Sequence, residues 1–316
     1  MYETRFGLKR RPFPATPDDA LFYPATGHEA ALATLVRAIH DEEGLALLSG
    51  PPGTGKTLLG HCLSERLAAA AAQSPQPSTL DANVGRAVVC AFLPNSHLAD
   101  RSALFQAILY DLKLPYEDGC EQVLRLRLTD HLLGNCGADQ RTILIVDEAQ
   151  HLSADLLEEL RLLGNLEAGG KKAVQVVLLA HPGILQMVAR PELASFRQRL
   201  VVRSQVEALG VEEALDYLLH HLRQAGGRPE RIIDDAGLEV LARGAKGIPR
   251  LLNQAGHQAL LLADAAGLAV VDAEAALEAL AVLGLATDGA EEDDTATGQK
   301  TSEAALRLAE PMRLPA

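Results

Sequence analysis

Gly50-Pro51-Pro52-Gly53-Thr54-Gly55-Lys56-Thr57 fits the pattern GxxxxGK[ST]. Glycines at this spacing let backbone N–H groups turn inward around an anion, and a helix beginning there adds its positive dipole end. Lys56 is then placed to reach the β- and γ-phosphates of a nucleotide, and Thr57 to ligate Mg²⁺. The run expected to contact nucleotide is Gly50, Pro51, Pro52, Gly53, Thr54, Gly55, Lys56, Thr57 and Leu58.

A phosphate cradle alone does not imply hydrolysis. A second motif does. Ile143-Leu144-Ile145-Val146-Asp147-Glu148 is an apolar strand that delivers two acids at its C-terminal end, where open α/β sheets place their ligands. Asp147 would hold the Mg²⁺ shell, and Glu148 would polarise an attacking water as general base. The implied chemistry is Mg²⁺-dependent hydrolysis of ATP.

The elements that must position these motifs alternate. Leu45 to Leu48 reads as a short strand, with a helix from about Lys56. Strands are expected at 87–93, 142–146, 173–180 and 199–206, and helices at 101–112, 121–133 and 153–167, the last capped by Ser153. An earlier helix starts near Thr26, where Thr26 and Glu29 have capping-box spacing, and ends near Gly44. Continuous apolar strands alternating with helices predict a parallel sheet covered on both faces. From about Val211 only helices remain, over 211–225, 234–244, 249–266 and 272–283. The expected organisation is a Pro-rich aromatic segment over 1–25, a nucleotide-binding domain over 26–208, a small helical domain over 209–285 and an acidic, disordered tail over 286–316. The tail could form one short helix at 302–308, and 72–86 reads as a polar insert.

Composition narrows the classes. The 316 residues are 48% hydrophobic, enough for a sizeable core. There are six Phe, five Tyr and no Trp, and Tyr2, Phe6, Phe13, Phe22 and Tyr23 all fall in the first segment, which is therefore expected to be pinned to the body. A net charge of −13 leans against a nucleic-acid tracker, although Lys9-Arg10-Arg11 is a small basic patch. The four cysteines form no CxxC pair, which argues against a structural zinc site, and Cys62 and Cys90 read as core. No run reaches the ~18 apolar residues of a membrane span, and no secretory signal is visible. The expectation is a cytoplasmic protein.

The two motifs and the trailing helical domain resemble the AAA+ ATPases. The resemblance narrows to the general secretion pathway protein A family, also called ExeA. It is carried by Phe6-Gly7-Leu8 and Arg11-Pro12-Phe13, by Asp147-Glu148-Ala149-Gln150-His151-Leu152, by Glu158-Glu159-Leu160-Arg161-Leu162-Leu163 with Asn165-Leu166-Glu167, by Arg197-Gln198-Arg199-Leu200, and by Gly247-Ile248-Pro249-Arg250 with Asn253. It covers about residues 1–270 and implies a P-loop NTPase sheet followed by an AAA+ lid. It also implies three further roles. His181, at the end of the fourth strand, would sense the γ-phosphate; the alternative is a surface histidine capping the next turn. Arg197 or Arg199 would be the arginine offered to a neighbouring subunit's ATP, with Arg199 slightly favoured; the alternative is two solvated cations paired with Glu192 or Glu207. Arg250 would reach the γ-phosphate from the helical domain; the alternative is a surface residue at a helix start.

The chain departs from the family in several places. Members that serve secretion resemble an ATPase followed by a membrane span and a peptidoglycan-binding domain, and these residues show neither, so the expectation is the ATPase module plus a tail. Ala180-His181-Pro182 stands where the family usually has Gly-Gln-Pro. The leading functional expectation is an ATP-driven motor in a secretion- or pilus-type envelope assembly system. Such a motor would form a homo-oligomer when active and reach the inner membrane through a membrane-associated protein partner. The alternative is an ATPase helper of DNA transposition or replication initiation; DNA is the less favoured partner.

Overall fold

Each of the five residues Leu45–Ser49 is buried, as a strand enclosed by helices on both sides requires. In the computed structural model, which describes residues 2–73, 87–138 and 140–285, this strand is β1. The preceding helices are α1 (Tyr2–Arg5) and α2 (Thr26–His40). There follow α3 (Lys56–Gln73), β2 (Ala87–Leu93), α4 (Arg101–Asp111), α5 (Glu121–Gly137), β3 (Gln140–Val146) and α6 (Ala154–Leu163). Next come β4 (Glu167–Ala168), β5 (Lys171–Lys172), β6 (Val174–Ala180), α7 (Ile184–Val188), α8 (Ala194–Arg199) and β7 (Leu200–Gln205). Four helices close the described chain: α9 (Val211–Gln224), α10 (Asp235–Gly244), α11 (Pro249–Ala265) and α12 (Ala273–Val282).

The long strands form one sheet in the order β2-β3-β6-β1-β7, every neighbouring pair parallel. This order sets the site. The two motif strands, β1 and β3, lie on either side of β6, so the chain leaving β6 at His181 falls between the glycine loop and the acid pair. One face of the sheet packs on α4, α5, α6 and α8, through residues such as Phe105, Leu128, Leu157 and Phe196. The other packs on α2 and α3, through Leu32, Leu35, Leu59 and Leu63. A third cluster joins α9, α10, α11 and α12 with Tyr2, Phe6, Leu8 and Phe13 of the leading segment. That segment is pinned, and its anchor is the helical region. Gly256 makes room for it, because a Cβ there would lie 2.7 Å from the Phe13 ring.

Helix starts are set by side chains. Asp100, Ser153, Asp234 and Asp272 each accept a hydrogen bond from a backbone N–H in the first turn, worth about 1 kcal/mol apiece. The capping box at Thr26 is not formed. The cap is Ala25, the Thr26 N–H donates to Glu213 Oε1 (3.0 Å), and Glu29 is held by Arg66. A carboxylate engaged by a guanidinium has no reach left for its own helix start. Helix α2 also stops before Gly44: Glu42 takes φ +56° and the Glu43 N–H turns back to the Ala38 carbonyl (2.9 Å), a Schellman-type end. Helix α6 ends at Leu163 and not at Glu167, because Gly169-Gly170, both at positive φ, closes the hairpin β4–β5. Helix α5 runs on to Gly137, and α3 includes Ala72 and Gln73. The rest of the expected insert, the acidic tail and the short helix at 302–308 lie outside the described residues.

Candidate nucleotide site

Strand β1 delivers the chain into the glycine loop. Space there is scarce: a Cβ on Gly50 would lie 2.6 Å from the Val206 carbonyl oxygen. Gly53 and Gly55 hold φ +81° and +91°, values that residues with side chains rarely adopt. The loop is braced from inside and outside. Thr54 Oγ1 donates to the Pro51 carbonyl (2.9 Å), and His28 of α2 donates through Nε2 to the Thr54 carbonyl (2.7 Å). Because a carbonyl only accepts, that bond places a proton on Nε2.

At the loop's end α3 begins with Lys56 and Thr57. The Lys56 ammonium donates to the carbonyls of Gly50 and Pro51, both at 2.9 Å, and is 7% exposed. Burial holds its pKa below the ordinary lysine value, against the pull of Glu148 and Asp147. A charged amine kept with little water is matched to an incoming anion. Thr57 Oγ1 donates to Asp147 Oδ2 at 2.6 Å. Asp147 is 3% exposed, and burial pushes its carboxyl above the usual aspartate range; the bonds from Thr57 and the Glu148 N–H oppose this. A desolvated carboxylate next to a hydroxyl is an all-oxygen donor pair suited to a hard divalent cation. Among the described residues no group of three or more His, Cys, Asp or Glu could hold a metal ion alone. Thr57 and Asp147 thus present two oxygen donors side by side at the end of the loop.

Glu148 takes φ +53°. This left-handed turn carries its side chain out of the strand direction and into a cavity of about 540 Å³, within the usual size range of small-molecule sites. The cavity wall includes Pro52, Gly53, Gly55, Lys56, Thr57 and Leu58 from the loop, Glu148 and His181 from the strand ends, and Arg250 from the helical region. Gly50, Pro51, Thr54 and Asp147 stand behind this surface, supporting it. Arg250 is drawn in by its backbone: its N–H donates to the Gly53 carbonyl (3.1 Å), and a Cβ on Gly53 would lie 3.0 Å from the Arg250 Cβ. The turn before it is equally constrained, since Gly247 has φ +66° and any Cβ there would meet the Leu209 carbonyl at 1.9 Å.

His181 meets both readings. Its Nδ1 accepts from the Gly183 N–H (3.3 Å), the turn-capping contact, while the ring also lines the cavity. An accepting Nδ1 leaves Nε2 as the protonated nitrogen of the neutral ring. Arg197 and Arg199 are exposed and do not line the cavity. Arg197 donates to the Ala189 carbonyl (2.9 Å), Glu192 faces Arg190 (3.7 Å), and Arg199 lies within electrostatic reach of Glu167. The pairings of these arginines with Glu192 or Glu207, the alternative to a role in a neighbour's site, are not formed among the described residues.

Sequence reasoning passed over part of the wall. Arg11, Phe13, Pro14, Thr16, Pro17 and Asp18 of the leading segment line the cavity, as do Tyr217, Asn253 and His257. The cluster of prolines and rings announced a pinned segment but not its place over the site. His28 left no signal, since a single histidine on a helix has many uses.

A five-stranded parallel sheet in this order, with a phosphate loop after one strand, an acid pair after another and a helical region closing the cleft, defines a P-loop NTPase of the AAA+ class. Residues 39–188 match the family model described as an AAA domain. Over 291 residues the chain is 35% identical to general secretion pathway protein A of Aeromonas hydrophila, an alignment that covers 92% of this chain and 50% of that protein. The chain thus belongs to the AAA+ ATPases, with a module of the general secretion pathway protein A kind, and spans half the length of that relative. Among solved structures, the Aeropyrum pernix ORC2 protein matches with a TM-score of 0.67 at 18% identity, covering 86% of this chain and 71% of that one. Cdc6p of Pyrobaculum aerophilum matches with a TM-score of 0.62 at 19% identity, covering 83% and 70%. At such identities these likenesses show the fold alone.

Proposed function

We propose that the chain binds ATP with Mg²⁺ in the cavity and hydrolyses it, driving conformational change in an envelope or pilus assembly system. The observation that carries this reading is the meeting of Lys56 and Thr57 with Asp147 and Glu148, the Thr57–Asp147 bond being 2.6 Å long. The loop N–H groups and Lys56 hold the phosphates. Thr57 and Asp147 supply the protein's ligands to Mg²⁺, which when bound neutralises charge on the phosphate oxygens. Glu148 accepts a proton from water as the water oxygen bonds to the γ-phosphorus. The bond to the ADP oxygen breaks, giving ADP and phosphate. His181 Nε2–H and Arg250 face the same space and serve the γ-phosphoryl group.

The chain divides, on this reading, into a leading strap over 1–25, a nucleotide-binding domain over 26–208, a lid over 209–285 and a tail over 286–316. Active assemblies are homo-oligomers in which Arg197 or Arg199 reaches a neighbour's ATP. The A. hydrophila relative belongs by name to a general secretion pathway, which supports a cytoplasmic position with a partner at the inner membrane. No described helix is long and apolar enough to cross a membrane. The reading as a DNA helper is weaker, because the ORC likeness carries the fold only and the net charge is −13.

The test compares Lys56→Ala with Glu148→Gln. The first is expected to lose ATP affinity together with hydrolysis. The second is expected to bind ATP as wild type does and retain it uncleaved. Equal loss of binding in both would remove Glu148 as the base.

A further inference from the structure

Gln150 belongs to the motif that follows β3, yet no step above uses it. Its side-chain amide spans two groups of the site. Nε2 donates to Glu148 Oε2, and Oε1 accepts from the backbone N–H of His181 at 2.9 Å. The amide orientation follows from the partners: a backbone N–H only donates and a carboxylate only accepts, so the two ends cannot be exchanged. Gln150 is partly buried in the short helical turn Ala149–His151, directly after the left-handed Glu148. Glu148 has no regular backbone element to fix its carboxylate, so this bond supplies the restraint.

We infer that Gln150 is a positioning residue that ties the Glu148 carboxylate to the end of β6, so that the water-activating group and His181 move as one. The inference rests on Glu148 being the base. A general base acts only within hydrogen-bond reach of its proton, and a misplacement of ~1 Å can cost ~10²-fold in rate. The other charged and titratable groups around Glu148 are Lys56, Asp147, His181 and Arg250. None of them is hydrogen-bonded to its carboxylate among the described contacts. The link gives β6 a direct effect on catalysis: a displacement of His181 would pull Gln150, and with it the orientation of Glu148.

The experiment measures ATP affinity by calorimetry and kcat against pH for the full chain, wild type and the Gln150→Leu, Gln150→Glu and Glu148→Gln variants. Gln150→Leu keeps similar bulk but drops both bonds. It is expected to lower kcat by roughly 10- to 10²-fold with ATP affinity and KM within about twofold of wild type. Gln150→Glu keeps an acceptor for His181 and sets a second carboxylate beside the first. Like charges oppose ionisation, so the acid limb of its kcat profile is expected to move to higher pH. That shift reports that the new charge lies beside the base; the fall of kcat without a fall in ATP affinity is what separates positioning from a structural role. Wild-type kcat and pH profile in both Gln150 variants, with Glu148→Gln inactive, would overturn the inference and leave the base assignment standing. So would a fall in ATP affinity that matches the fall in kcat. Full activity in Glu148→Gln would overturn the base assignment itself.

Discussion

Thr57 Oγ1 and Asp147 Oδ2 lie 2.6 Å apart although 90 residues separate them in the chain. Parallel strands β1 and β3 end at the same edge of the sheet with β6 between them, so the first turn of α3 and the end of β3 meet there. Two oxygens so placed, one of them buried, are matched to a shared divalent cation. Asp147→Asn should therefore abolish hydrolysis and reduce ATP affinity when Mg²⁺ is present. In EDTA, affinity should equal that of wild type, because no ion remains to be held. Calorimetry in both conditions checks this; equal weakening in EDTA would mean that Asp147 supports the loop and not the ion.

The arginines of α8 carry a prediction about assembly. Arg197 and Arg199 are exposed and do not line the cavity of their own chain, which leaves them open to a neighbour's site. An arginine supplied in trans can be worth ~10³–10⁵ in rate in related phosphoryl transfers. A chain carrying Arg197→Ala and Arg199→Ala should be nearly inactive alone. Mixed with Lys56→Ala chains it should recover part of the activity, since its intact phosphate loop can meet an intact arginine from its neighbour. Undiminished activity in the double variant by itself would exclude the trans role.

Acid should loosen the leading segment. His221 Nδ1 donates to the Pro12 carbonyl (2.9 Å), and the ring stacks on Phe13. Burial lowers its pKa from 6.5 to about 4. The sign follows from linkage. Above pH 6.5 the ring is neutral in both folded and unfolded chains, and the fold has its full stability. As pH falls from 6.5 toward 4 the unfolded chain takes up a proton that the folded chain refuses, and stability is lost. At 1.36 kcal/mol per pKa unit the loss approaches ~3 kcal/mol. His221→Phe removes the titration, so its thermal midpoint should fall less than that of wild type between pH 7 and pH 4.5. Parallel curves for the two proteins would place the acid sensitivity elsewhere.

Much of this arrangement was legible in residue order. The five strands of the parallel sheet fell within two residues of their expected bounds because each carries an apolar stretch, as short as Leu200-Val201-Val202 in β7. The loop and acid pair were legible because their chemistry fixes both residue type and spacing. Misreadings arose where a local pattern met a distant partner. Thr26 and Glu29 look like a capping box until Glu213 and Arg66 are brought beside them by the fold. His28 and Gln150 were silent for the same reason, since their partners, the Thr54 carbonyl and the His181 N–H, are set by tertiary packing. The Gly169-Gly170 turn was a local signal, and the helical periodicity of the residues before it masked it.

Arg250 gives a prediction that separates backbone from side chain. The Arg250 N–H holds the Gly53 carbonyl at 3.1 Å, and that bond survives substitution by alanine, so the variant isolates the guanidinium. Arg250 also acts on Lys56, where its positive charge lowers the lysine's affinity for a proton. Two cations facing one cavity repel each other until an anion comes between them, and a triphosphate places more negative charge there than a diphosphate. The guanidinium should therefore favour ATP over ADP, by ~1.5–3 kcal/mol if it makes one charge-assisted hydrogen bond. Arg250→Ala should shrink the ATP-to-ADP affinity ratio by roughly 10- to 100-fold while leaving ADP affinity almost unchanged. A ligand shifts a conformational equilibrium only through its differential affinity for the two states, so this ratio bounds how strongly hydrolysis can release α11 from the loop. Calorimetric titration of both nucleotides against wild type and variant gives it directly. An unchanged ratio would leave the backbone bond and the packing of Gly53 against Ile248 and Arg250 to hold the start of α11 to the loop, and would move discrimination between the nucleotides to His181, which lines the cavity at the end of β6.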